Sequence, residues 1–142
     1  MKNFSVFLLR WKEKVPQESL IFLQTSLEKL SENDCVTLES IPLKDPLKGL
    51  LLGISLGGFG VDRFYKGDVW IGFSKIFLHI TFAILYFSLI IEENPTIEEW
   101  QGAISFYFVA VWFFASIDAF LVYRGIKQDN LRKIQNYISL LK

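Results

Sequence analysis

Cysteine and histidine each occur once in this 142-residue chain, as Cys35 and His79, and that scarcity removes several chemistries at the outset. A single cysteine excludes an intrachain disulfide framework and a thiolate metal cluster, and a single histidine excludes multi-histidine metal sites. Net charge is zero, from 15 basic and 15 acidic side chains, so the basic excess that tracks a nucleic-acid backbone is missing. The chain has no Ser-His-Asp spacing. Gly57-Gly58-Phe59-Gly60 lacks the lysine and the strand–helix setting of a phosphate cradle. These absences point away from an enzyme and from any cofactor. The opening MKNFSVFLLRWKEK has an apolar run too brief for a signal-peptide core and no small-residue cleavage site, so it reads as an amphipathic or interfacial start.

Hydrophobic residues make up 51% of the chain and 14 residues are Phe, a share that coexists with the 30 charged side chains only if the two are segregated. They are. From Trp70 to Ile91 only Lys75 and His79 are ionisable, and from Trp100 to Tyr123 only Asp118 is. As helices these runs extend roughly 33 to 36 Å, enough to cross a hydrocarbon core of ~30 Å. Two such runs leave too little polar surface to hide them inside a soluble fold. The expected fold class is an all-α membrane protein, with transmembrane helices over 70–91 and 100–123.

A third apolar segment, 46–61, is shorter. Its glycines at 49, 53 and 57 recur every fourth residue, which places Gly49, Gly53 and Gly57 on one helix face and strips that face of side chains. A facing helix can then approach almost to backbone contact, as small-xxx-small segments do in lipid. Ahead of it, residues 1–42 read as a water-facing helical region. Leu20, Leu23, Leu27 and Leu30 repeat at spacings of three and four, Pro16 suits a first helical turn, and Asn33 or Asp34 is placed to cap a second helix. Residues 131–142 form a basic helical tail. The loop between the two long runs carries no basic residue, whereas Arg124, Lys127, Arg132 and Lys133 follow the last run, so the C-terminus is expected on the cytoplasmic side. Trp70 and Trp100 stand at run ends as interfacial anchors. If 46–61 crosses completely, the N-terminus lies outside against its charge; a shallow or re-entrant segment avoids that conflict.

Ionisable groups in a membrane are costly and need a partner or a function. Lys75 and Asp118 lie at similar depths in an antiparallel hairpin, and the expectation is an intramembrane ion pair with Arg63 competing for Asp118. His79 shares the Lys75 face, which admits a polar path through Lys75, His79 and Asp118. Asp62 and Arg63 read as a rigid charged turn. Phe64 and Tyr65 would wedge into the bilayer edge, Gly67 would release the chain, and Asp68 would cap the next helix.

LGGFGVDRFYKGD, followed by Gly72 and Lys75-Ile76-Phe77, resembles the TM2-domain family, a glycine-rich segment leading into an Asp-Arg-Phe turn, here Asp62, Arg63 and Phe64. Trp112 with Ile117-Asp118, Arg124-Gly125 and Lys127-Gln128-Asp129-Asn130 are similar to the last helix and polar exit of prokaryotic members, and Ile41-Pro42-Leu43-Lys44-Asp45-Pro46 to their lead-in. One departure is plain: 42 residues lie between Lys75 and Asp118, where relatives have a short glycine-rich link. The resemblance implies a TM2-like membrane domain over 43–130 and brings no catalytic residues. Function is expected to be that of a non-enzymatic interaction or scaffold component of a bacterial cytoplasmic membrane. Its partners would be lipid, a second copy or another membrane protein. The alternative is a small channel or transporter subunit.

Overall fold

A computed structural model describes residues 9–31, 34, 37–38, 40–93 and 96–141. The proposed cap at Asn33 and the lone Cys35 lie outside these, as do Asn94, Pro95 and the side chain of Trp100. Every regular element is helical among the described residues. Among them, short 3-10 turns at Gln17–Ser19 and Gly57–Phe59 accompany the α-helices α1 (Leu20–Glu28), α2 (Pro46–Leu56), α3 (Val61–Lys66), α4 (Val69–Glu93) and α5 (Ile97–Leu140). The chain divides into two compact units, Lys48–Val122 and a second made of Met1–Leu47 with Tyr123–Lys142.

Lys48–Val122 holds the apolar helices. Val69–Ser88 and the stretch beginning at Gln101 are long and apolar enough to cross a membrane, with mean hydropathies of 1.6 and 1.8. Only 6% and 11% of their most apolar windows are buried, so neither is the hidden core helix of a water-soluble fold. Trp70, Phe77, Phe106 and Phe114 stand well exposed, where lipid rather than water is the solvent that accepts them. The chain is an all-α membrane protein.

Pro46 opens α2 at the position where its missing N–H costs nothing, and Asp45 accepts a hydrogen bond from the Leu47 amide at 2.9 Å. The helix ends at Leu56, short of the expected 61. Gly57-Gly58 gives poor helical support, and Gly60 adopts a left-handed φ of 79° that closes the 3-10 turn and starts α3. Eleven residues amount to about 16 Å, half a hydrocarbon core. Gly67, at φ 108°, ends α3, with the amides of Gly67 and Asp68 both on the Arg63 carbonyl at 2.9 Å, so the chain turns there as expected.

The other unit has a conventional core. Leu23, Leu27 and Leu30 of the expected leucine stripe are buried, together with Trp11, Val15 and Leu38, against Ile134 and Ile138 at the far end of α5. The N-terminal helical region therefore packs on the C-terminal tail of its own chain, a partner the leucine spacing could not name. Ser31 and Asp34 exchange reciprocal bonds, Ser31 N–H and Oγ to the carboxylate and the Asp34 amide to Ser31 Oγ, in the pattern of a capping box. Asn130 is buried and fully engaged: its amide nitrogen donates to the carbonyls of Lys14 and Lys44, and its oxygen accepts from the Lys44 amide.

Candidate functional site

The glycine face of α2 is occupied from within. A Cβ added at Gly53 would sit 2.8 Å from the Ala119 Cα and closer still to its Cβ, and one at Gly57 would lie 3.5 Å from the Ala115 Cβ. The pairs 53/119 and 57/115 step four residues in opposite directions, so α2 runs antiparallel to α5 with small residues on both sides. Gly49, the third of the stripe, is buried. The same bare face makes room for Asp62, which is fully buried with its Cβ 3.6 Å from the Gly53 position.

Asp62 is paired. Lys75 Nζ lies 3.2 Å from Asp62 Oδ1, 2.6 Å from Asp118 Oδ2 and 2.8 Å from the Gly57 carbonyl. An ammonium has three donors and no acceptor, so these three partners satisfy it. Asp118 in turn accepts from two cations, since Arg63 Nε reaches its Oδ2 at 2.9 Å and Arg63 Nη2 its Oδ1, a two-pronged fork. Arg63 Nη1 turns to Asp68 at 2.8 Å, and Lys66 Nζ joins Asp68 at 2.9 Å. The result is one connected network, Asp62–Lys75–Asp118–Arg63–Asp68–Lys66, with three carboxylates against three cations. The expected pairing of Lys75 with Asp118 is present, and Arg63 shares Asp118 instead of competing for it.

Outside the apolar spans, pairing and burial shift two groups of this network, Arg63 and Asp68. The Asp118 hydrogen bond holds the Arg63 guanidinium more firmly protonated than usual; burial opposes this and Asp68 reinforces it. At Asp68 burial pushes the carboxyl up, but hydrogen bonds from Lys66 and Arg63 outweigh it and leave the group below the ordinary carboxylate range.

Two expectations need correction. Phe64 does not wedge outward into the bilayer: its ring fills the notch above Gly72, 2.7 Å from where a Cβ would stand, and meets Phe73 edge-on with centroids 5.2 Å apart. The backbone at Gly60 comes equally close, so that a Cβ there would lie 2.7 Å from the Gly72 carbonyl. Asp68 does precede α4, and its backbone carbonyl accepts from the Gly72 amide at 3.1 Å, but its carboxylate is engaged by Arg63 and Lys66. His79 stands apart from the ions. Its Nδ1 meets its own helix at the Lys75 carbonyl, 2.8 Å away, and its ring lies against Phe59 and Tyr107. The three polar candidates thus separate into an ionic pair, Lys75 and Asp118, and an aromatic-packed imidazole.

Lys66, Asp68, Gly60 and Gly72 enter the site without having been singled out for it. Lys66 and Asp68 add one charge of each sign to a turn that Asp62 and Arg63 already leave neutral, so a charge tally does not single them out. Gly60 and Gly72 lie too far apart in sequence for spacing to couple them.

Neither a curated protein nor a solved structure matches the chain. Residues 42–91 do match a family, and the matched stretch covers the proline-flanked lead-in, the glycine face, the Asp62-Arg63-Phe64 turn and the helix that carries Lys75, while Asp118 lies beyond it. The chain carries, over residues 42–91, a TM2 domain.

Proposed function

We propose that this TM2-domain chain is a non-enzymatic interaction or scaffold component of a bacterial cytoplasmic membrane, with its C-terminus on the cytoplasmic side. The observation that carries the reading is the use of these charges on one another. Asp62, Arg63, Lys66, Asp68, Lys75 and Asp118 form a neutral network whose geometry locks the turn between α2 and α4 onto α5. Groups so engaged are poorly placed for acid–base turnover or for handing an ion onward. The basic residues following Tyr123 support the assigned orientation. With its glycine face filled by Ala115 and Ala119, a partner, whether a second copy or another membrane protein, would meet the outer aromatic face of α5, where Phe106 and Phe113 are exposed.

The test pairs crosslinking with flux. With Cys35 replaced, cysteines at Phe106 and Phe113 should give crosslinked adducts in native membranes, and purified protein in vesicles should pass no ions. Ion flux that falls in Asp118→Asn, with no adduct at either position, would overturn the scaffold reading in favour of a channel or transporter subunit.

A further inference from the structure

The apolar run of α5 ends at Tyr123, and Arg124, Lys127 and Gln128 follow within the next two turns of the same helix. The 3-10 turn at Gln17–Ser19 stands opposite them. Between the two walls lies a pocket of about 410 Å³ whose lining includes Gln17, Glu18, Tyr123, Arg124, Lys127 and Gln128. Every one of these carries a polar side chain. The volume falls within the ~300–1,000 Å³ typical of small-molecule sites.

Both walls are held from behind. Ser19 sends its amide, at 3.2 Å, and its hydroxyl, at 2.6 Å, to the Pro16 carbonyl, which fixes the turn that presents Gln17 and Glu18. Val15, next to that turn, and Ile126, next to Lys127, are buried. Lys127 is placed by the ring one helical turn before it, its Nζ 4.6 Å from the Tyr123 centroid. A ring face occupies one side of an ammonium that has three donors. Among the described residues no carboxylate pairs with Lys127, and no hydrogen bond within the chain uses the side-chain amides of Gln17 or Gln128. Arg124 and Lys127 stand against the single carboxylate of Glu18, so the pocket has one positive charge in excess.

Position and charge together narrow the occupant. A tyrosine and basic side chains that close an apolar helical run lie at the headgroup level of a bilayer. One excess positive charge at that level matches a phosphodiester with one negative charge. The remaining polar groups suit hydroxyls, which donate to Glu18 and accept from the Gln17 and Gln128 amides. A choline head offers no such donor and brings a second cation beside Arg124 and Lys127. We propose that this pocket binds one anionic phospholipid of the phosphatidylglycerol class. Its phosphodiester lies on Arg124 and Lys127, its hydroxylated head points toward Gln17 and Glu18, and its acyl chains stay in the adjoining bilayer. The proposal does not depend on whether the chain has a protein partner.

The test is native mass spectrometry of the full chain in a nonionic detergent, titrated separately with phosphatidylglycerol, phosphatidylcholine and phosphatidylethanolamine. The first phosphatidylglycerol adduct should form with about fivefold higher affinity than that of either other lipid, the ratio expected for one basic side chain at an anionic surface. Lys127→Gln removes the excess charge and should bring the three lipids to parity, whereas Lys127→Arg should keep the preference. Lys133→Gln loses the same charge from an exposed position outside the pocket and should leave the ratio unchanged. Glycerophosphoglycerol, the same head without acyl chains, should not displace the bound lipid at equal concentration. Equal affinity for the three lipids in the unmodified chain would overturn the proposal without recourse to any variant. An equal loss of preference in Lys133→Gln would assign the effect to diffuse charge, and displacement by glycerophosphoglycerol would assign the pocket to a soluble phosphodiester; either result also overturns it.

Discussion

Asp118 answers to two cations, and this changes what its removal and its exchange should do. Replacing it with Ala leaves Arg63 with Asp68 and Lys75 with Asp62, three cations against two carboxylates, and removing one partner of a buried ion pair costs up to about 3–5 kcal/mol, read as a fall in the melting temperature in detergent. Exchanging charges between Lys75 and Asp118 would restore a simple pair, but here it places the new lysine beside Arg63 and the new aspartate beside Asp62. The double variant should therefore be no more stable than the worse single one; recovery to wild-type stability would show that Arg63 and Asp62 are not bound as described. Asp68 supplies a pH dependence. Its folded-state pKa is depressed, so its contribution is present above the ordinary carboxylate range and is lost as pH falls below it. Asp68→Asn should lower stability at neutral pH and flatten its decline on acidification below about pH 4, as a pH series of thermal melts would record. The neutral tally of charges around Asp62 was legible in the sequence. That Asp118 would be shared, and that Lys75 would also take the Gly57 carbonyl, was not, because both depend on side chains meeting across the fold.

For the elements, the decisive contact is α2 on α5. A methyl at Gly53 collides with Ala119, so Gly53→Ala should destabilise by about 1–3 kcal/mol, as overpacking does, and Ala119→Gly in the same chain should recover most of it. A double-variant melt that shows no recovery would place the α2 face against something else. Gly60→Ala should be worse placed for rescue, because the left-handed φ and the Gly72 backbone oppose it together. The period-four glycines announced a bare face from sequence alone, since helical spacing is local information. The partner was hidden. Ala115 and Ala119 look unremarkable in an aromatic-rich run, and only the antiparallel step of 53/119 and 57/115 couples the stripes. The early end of α2 was missed for a related reason: Leu56 and Phe59 continue the apolar run that hydropathy follows, while the left-handed Gly60 that stops the helix carries no such signal.

At the scale of the molecule, apolar runs with one charged residue each predicted both long helices, because the bilayer imposes a length and a composition that sequence displays directly. The destination of the N-terminal leucine stripe was not legible, since Ile134 and Ile138 lie over a hundred residues away. Asn130 marks that same packing: Asn130→Ala removes three hydrogen bonds, two to the carbonyls of Lys14 and Lys44 and one from the Lys44 amide. The expected loss is about 1–3 kcal/mol for the hydrogen bonds removed, measured as faster amide exchange in α1 with α4 unaffected. The central claim is that lipid surrounds the helices of the Lys48–Val122 unit. Cysteine accessibility across 69–88 and 101–122, in sealed vesicles with Cys35 replaced, tests it most directly. The account predicts labelling by a membrane-impermeant maleimide at whichever of Val69 and Gln101 faces outward, at both once the vesicles are permeabilised, and protection at Phe77, Phe108 and Phe113. Uniform labelling of those three phenylalanine positions would contradict it.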